Sequence, residues 1–262
     1  MNDHPIGIFD SGIGGTSIWK EINSLLPNES TIYLADSKNA PYGEKSKDEI
    51  IQLCIKNTEL LLAKGCKLVV VACNTATTNA IDYLRKHYTV PFIGIEPAIK
   101  PAALQSKSKK VGILATQGTL SSSLFHSTTE NHAAGIHIFE QVGTGLVTLI
   151  ESNKINAPET KALLEKYLNP MVAAGIDHLV LGCTHYPYLL PVIKDMLPAH
   201  INIIDSGEAV ARQTKAVLAK NDLLCNAGKK TTFQFISNAN VNILESFLQG
   251  YGPSLKLSCL DF

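Results

Sequence analysis

The sequence predicts an α/β protein made of two similar doubly wound parallel-sheet domains, related by pseudo-twofold symmetry, with a site in the cleft between them. Three observations carry this expectation. Short apolar runs rich in β-branched residues alternate with amphipathic stretches, the rhythm of a parallel sheet covered on both faces. The series of runs occurs twice, at an offset of 105 to 110 residues. Two equivalent runs, LVVVACNTAT from Leu68 and HLVLGCTHYP from His178, stop abruptly on a thiol followed by polar side chains.

Taken in order, PIGIFDSG from Pro5, TIYLADS from Thr31, LVVVACN from Leu68 and PFIGIEP from Pro91 read as the strands of the first series. KVGILAT from Lys110, IHIFEQV from Ile136, HLVLGCT from His178 and INIIDSG from Ile201 read as those of the second. From Ile8 to Asp36 is 28 residues, as is the step from Ile113 to Gln141, which pairs those two positions as equivalents. Helical patterns lie between, over residues 46–65 and 157–175 for example. The stretches GEAVARQTKAVLAK, TTFQFISN and NVNILESFLQGYG have no counterpart in the repeat and are expected to return to the first unit. That gives a discontinuous first domain, 1–97 with 207–262, and a second domain, 98–206.

A chain of 262 residues can bury a sizeable core. Its 23 basic and 23 acidic side chains balance, which argues against a surface built to hold nucleic acid or anionic membrane. No apolar stretch is long enough to span a bilayer and the start lacks a signal-peptide layout, so a cytoplasmic location is expected. The six cysteines show no CxxC pair and no zinc-type spacing, so neither a structural metal nor a disulfide framework is expected. Taken singly, each reads first as core filler.

In open parallel sheets, ligands bind beyond the carboxyl ends of the strands, and interfaces between units favour small-molecule pockets. Cys73 and Cys183, at equivalent strand ends, would then face each other. Opposed acid/base groups suit a reaction that takes a proton from one face of a carbon and returns one to the other. Both thiols precede helical patterns, where N-terminal N–H groups would lower their pKa. Asn74 with Thr75, and Thr184 with His185, offer donors for a carboxylate, and His185 could relay a proton to one thiol. Asp10 at the end of the first strand reaches the same cleft, to bind an ammonium or support Cys73, or else caps the next helix in competition with Ser11. The glycines at 12, 14 and 15 lack the third position of a dinucleotide fingerprint, and no GK[ST] follows. A cysteine hydrolase would leave Cys73 unexplained. A two-lobed binding module is the remaining non-enzyme alternative.

FDSGIGG, ADSKNAPYG, ACNTAT and LGCTHYP, in this order, closely resemble the glutamate racemases of the aspartate/glutamate racemase superfamily. The resemblance covers essentially the whole chain and implies two α/β domains with a site between them, and cofactor-independent interconversion of L- and D-glutamate for peptidoglycan. It implies that Cys73 takes the Cα proton of D-glutamate, assisted by Asp10, and that Cys183 takes that of L-glutamate, assisted by His185. Glu151 matches an acidic residue that supports the histidine. Asp10, Ser11, Tyr42, Gly43, Asn74, Thr75, Thr184 and His185 fall on substrate-binding motifs, and a homodimer is the common family assembly. Thr116 and Thr119 are further neighbours of the expected site. Asp36 is open to a supporting part or to a plain turn role, and Glu96 to interdomain contact or to charge at the substrate entrance. Aspartate racemase is the nearest competing assignment, since one methylene is worth only ~1–3 kcal/mol in binding.

Overall fold

The computed structural model describes residues 3–225, 231–251 and 255–262. All its strands run parallel, in two sheets. The first sheet contains β1 (Ile6–Asp10), β2 (Thr31–Ala35), β3 (Leu68–Val71) and β4 (Phe92–Gly94). The second contains β5 (Lys110–Ala115), β6 (His137–Val142), β7 (His178–Gly182) and β8 (Asn202–Ile204). Two late strands, β9 (Phe233–Ser237) and β10 (Leu255–Cys259), complete the first sheet in the order β10-β9-β2-β1-β3-β4, against β6-β5-β7-β8 in the second. The order second, first, third, fourth is therefore common to both sheets, and each has its switch point beside its first strand.

Burial explains why these runs are strands. β1, β2, β3 and β7 are buried along their whole lengths, as a sheet covered by helices on both faces requires. The helix Lys47–Ala63 starts in a capping box, with Glu49 N–H donating to Ser46 Oγ and Ser46 N–H to Glu49 Oε2. The helix Pro158–Ala174 opens on a proline and ends at Gly175, whose φ of 80° suits the left-handed cap.

The return of the last segment has a clear physical cause. Trp19, on the helix Thr16–Leu25, packs edge-on against Phe233, Phe235 and Tyr251 at centroid distances of 5.5, 4.8 and 4.7 Å. Its indole N–H donates to Thr31 Oγ1 at 2.9 Å, so a large apolar surface is buried with no orphaned polar atom. Trp19→Ala should cost about 3–5 kcal/mol. The two crossings between the sheets are tied together, because Ser206 Oγ donates to the Glu96 carbonyl. The Glu96 carboxylate accepts from Thr128 at 3.4 Å on the second unit, so this residue bridges elements and lies apart from the thiol cavity. Among the described residues no helix is long and apolar enough to cross a membrane.

Strand register corrects one expected equivalence. Ile8 pairs with Tyr33 and Ile113 with Glu140, so Asp36 corresponds to Gly143 and not to Gln141. Asp36 N–H donates to the Asp10 carbonyl and Gly143 N–H to the Ala115 carbonyl, at 3.0 and 2.9 Å, which are matching places. The second unit carries two more residues between its first two strands, and an equal count in sequence hid them.

Candidate active site

Ile8 pairs with Val70 and Ile113 with Val180. Cys73 and Cys183 each lie three residues beyond those partners, at the same register position in the two sheets. Both are buried and both line one narrow cavity of about 10 Å³ between the sheets, with Ser11, Tyr42, Gly43, Asn74, Thr75, Thr184 and His185. An outer hollow of about 210 Å³ shares Pro41, Gly43, Thr116 and Val147 with it.

On the first side, Cys73 is itself the N-cap of the helix Asn74–His87, its sulfur accepting the Ala76 N–H at 3.5 Å. The thiol also lies 3.7 Å from Ser11 Oγ. Asp10 is wholly buried beneath the cavity wall. One of its oxygens accepts the N–H groups of Gly12 and Gly15 at 3.2 and 2.9 Å, and the other accepts Ser11 Oγ and Thr184 Oγ1, each at 3.4 Å. Burial raises the Asp10 carboxyl above the usual carboxylate range, opposed in part by the charge of His185 and the Gly15 N–H. Burial, and then the nearby Asp10 charge, push the Cys73 thiol well above the ordinary cysteine value, against the smaller pull of the Ala76 N–H. The expected lowering of this thiol by its helix is thus corrected. Taking the sulfur out of water outweighs one long N–H contact.

On the second side, no α-helix starts directly at the thiol. Cys183 and Thr184 lead into a 3-10 turn, Tyr186–Leu189, and the α-helix begins only at Leu190, because Pro187 has no N–H and restrains the residue before it. Here the partner is an imidazole: Cys183 Sγ lies 3.7 Å from His185 Nδ1, and His185 Nε2 lies 2.6 Å from Glu151 Oε1. Burial pulls the histidine down, but hydrogen bonds to Cys183 and Glu151 and their charges more than offset it, leaving its pKa well above the ordinary value. Gly14 N–H also lies 3.2 Å from Nε2. A nitrogen that donates to a carboxylate cannot accept as well, so the Nε2 proton belongs to the shorter contact with Glu151.

The glycine loop explains how the two sides meet. A Cβ built on Gly12 would lie 2.0 Å from Glu151 Oε1, and one on Gly14 2.2 Å from His185 Nδ1. These glycines give the second unit's relay room against the first unit's main chain, and Ile13 N–H donates to Glu151 Oε1 at 2.7 Å. Nearby, Thr75, Thr116 and Thr119 form a hydroxyl triangle of 2.7, 3.4 and 3.1 Å across the interface. The Asn74 side chain is buried with neither its nitrogen nor its oxygen hydrogen-bonded, so it offers an unspent donor and acceptor at the cavity wall.

Residues 6–214 match the family model for Asp/Glu/Hydantoin racemase. The chain belongs to that racemase family. It is a racemase whose relatives include the glutamate racemase of Ectopseudomonas mendocina (strain ymp), 44% identical over 245 residues and 93% of each chain. That of Herpetosiphon aurantiacus is 46% identical over 224 residues, 86% of this chain and 88% of the relative. Among solved structures, the Escherichia coli glutamate racemase in complex with L-glutamate and the activator UDP-MurNAc-ala superposes with a TM-score of 0.87 at 33% identity, over 98% of each chain. The Picrophilus torridus aspartate racemase, with a TM-score of 0.57 at 18% identity over 84% of this chain and 95% of its own, shares the fold.

Within this racemase, the sequence-derived residues fall into two groups. Ser11, Tyr42, Gly43, Cys73, Asn74, Thr75, Cys183, Thr184 and His185 line the cavity. Asp10 and Glu151 stand behind it, each reaching it through a neighbour. Asp36 is wholly buried and accepts from the Tyr42 hydroxyl, from Asn238 and, at 2.7 Å, from Asn39, so it braces Tyr42. Thr116 lines the cavity and Thr119 stands behind it. Pro41 and Val147 also line it. Nothing in Val147 announces a site, since only the meeting of two units brings an ordinary helical valine there.

Proposed function

We propose that this racemase interconverts L- and D-glutamate by a two-base mechanism that needs no cofactor. The observation that carries the reading is the pair of thiols at one register position, facing a single cavity whose walls offer hydroxyl and amide donors. Glutamate is the substrate named for the relatives that match most of the chain, and the glutamate racemase of Francisella tularensis was solved in complex with D-glutamate.

In this mechanism Asn74, Thr75 and Thr184 hold the substrate α-carboxylate, which accepts from the bare side-chain nitrogen of Asn74. Ser11 and the Tyr42–Gly43 main chain take the side-chain carboxylate. Cys73 removes the Cα proton of D-glutamate while Cys183 delivers one to the opposite face, and the roles reverse for L-glutamate. Since Cys73 rests as a neutral thiol, its anion forms only when the substrate ammonium enters beside Asp10 and offsets the negative charge there. Asp10 then takes the thiol proton. On the other side His185, held cationic by Glu151, exchanges a proton with Cys183 through Nδ1. Fixed groups aimed at both faces of one carbon supply what an enolate-like transition state needs, without rearrangement at the moment of reaction.

The reading extends to a cytoplasmic homodimer that supplies D-glutamate for peptidoglycan, with domains at 1–97 plus 207–262 and at 98–206. The test is chiral chromatography of purified protein incubated separately with L-glutamate and L-aspartate, with no cofactor added. Conversion of glutamate to an equal mixture of enantiomers, with aspartate left largely unconverted, is expected. Unchanged L-glutamate, or faster conversion of aspartate, would overturn the assignment.

A further inference from the structure

The Cys183 relay belongs to the second unit, yet the first unit holds it in place. Glu151, the last residue of the helix Leu146–Glu151, gains nothing from its own helix, whose carbonyl end disfavours a carboxylate. Its hydrogen bonds come from elsewhere. Oε1 receives His185 Nε2 at 2.6 Å and the Ile13 N–H at 2.7 Å, and Oε2 receives the Ser37 hydroxyl at 3.3 Å. Ile13 and Ser37 follow β1 and β2 of the first sheet. Ser37 opens a 3-10 turn, Ser37–Asn39, and the residue before it, Asp36, is buried and fixed by Tyr42, Asn39 and Asn238. The hydroxyl is thus delivered from a rigid point to the free oxygen of a carboxylate in another domain.

We propose that Ser37, in the unit that carries Cys73, is a positioning residue for the opposite thiol: with the Ile13 main chain it fixes the rotation of the Glu151 carboxylate, and through His185 the aim of Cys183. Ile13 and His185 share one oxygen, so they leave the carboxylate plane free to turn about that oxygen, and the Ser37 contact on Oε2 removes this freedom. A carboxylate turned out of plane draws His185 Nε2 with it and moves Nδ1 off a sulfur already 3.7 Å away. Ser37 makes no hydrogen bond to Cys73, Asp10 or Ser11 and does not line the cavity. Its loss therefore falls chiefly on the Cys183 proton transfer, reaching the Cys73 side only through the charge of His185 and Glu151 on Asp10.

The inference rests on the two-base reading, and its test separates the two. Racemisation itself cannot show the asymmetry, because an equilibrium constant of one forces equal kcat/KM in both directions. Elimination of hydrogen chloride from the L and D forms of 3-chloroglutamate is irreversible and needs a single base: one thiolate takes the Cα proton, chloride leaves Cβ, and the enamine hydrolyses to ammonia and a 2-oxo acid. Cys183→Ser and Cys73→Ser identify which enantiomer each thiol serves. Ser37→Ala should slow elimination from the enantiomer that Cys183→Ser abolishes by about five- to tenfold, as the loss of one long charge-assisted hydrogen bond implies, and leave the other enantiomer within about twofold of the parent. Ser37→Thr, which keeps the hydroxyl, should restore the rate. Equal slowing of both enantiomers, no slowing of either, or failure of the threonine to rescue would overturn the role of Ser37. A parent enzyme that neither racemises glutamate nor eliminates chloride from either enantiomer would remove the two-base reading itself.

Discussion

Cys73 and Cys183 share a register position but sit in opposite chemical surroundings. Cys73 caps a helix, lies beside a buried carboxylate and is pushed well above the ordinary thiol pKa by burial and by that charge. Cys183 precedes a proline-broken turn and faces an imidazole that Glu151 helps to keep cationic. The duplicated fold thus supplies symmetric placement of two sulfurs, while the loops around them supply unlike partners. If the proposed two-base mechanism holds, the difference teaches that its bases need mirror positions but not mirror environments: one side would wait for the substrate ammonium before releasing its proton, and the other would draw on a resident imidazolium.

The largest effects should come from the sulfurs. Cys73→Ser and Cys183→Ser should each lower racemisation by about a thousandfold or more, with each variant keeping elimination from a different 3-chloroglutamate enantiomer. Variants that eliminate from the same enantiomer would break the comparison. Asp10→Asn and His185→Asn should follow at about a hundredfold, the first slowing chiefly the Cys73-dependent elimination and the second the Cys183-dependent one, read as single-enantiomer rates. Equal damage to both would recast these residues as substrate binders. Gly12→Ala should act on one side through sterics, because the new methyl would meet Glu151 at 2.0 Å; about a tenfold loss on the Cys183 side and about 1–3 kcal/mol of stability are expected, measured by elimination rate and urea denaturation.

The smallest catalytic effect should come from Asp177→Asn, at the far end of the second sheet. Burial there would raise the carboxyl, but hydrogen bonds from His178, the Ser108 and Lys107 N–H groups and Ser106 more than offset it and hold it well below the usual range. A carboxylate so depressed contributes stability above its unfolded pKa, near ~4, and loses it as pH falls through the folded value. The variant should melt a few degrees below the parent at pH 7, with the gap closing below about pH 4 and both eliminations unchanged. Any shift in the ratio of the two eliminations would mean that general destabilisation mimics the asymmetry.

Much of this was legible in the sequence for physical reasons. Fully buried parallel strands leave continuous β-branched runs, so the eight repeat strands could be read from Pro5 to Gly207, and the thiols stood out as polar stops on greasy runs. β10 escaped because Leu-Lys-Leu-Ser-Cys is short and half exposed, an edge strand with weak patterning. The two-residue shift that makes Asp36 the counterpart of Gly143 was hidden because counting along the chain ignores register. What Gly12 and Gly14 do was not legible either: their lack of a side chain matters only against His185 and Glu151, some 140 to 170 residues away. The raised Cys73 thiol depends on burial in three dimensions, which no local motif reports.

The most direct measurement is proton NMR of the wild-type enzyme in deuterium oxide during the first few per cent of turnover, begun separately from L- and D-glutamate. Two opposed thiols predict deuterium at Cα of the product enantiomer and protium retained in the remaining substrate, in both directions. Deuterium entering recovered substrate as fast as product would mean that a single base serves both faces, and would contradict the account.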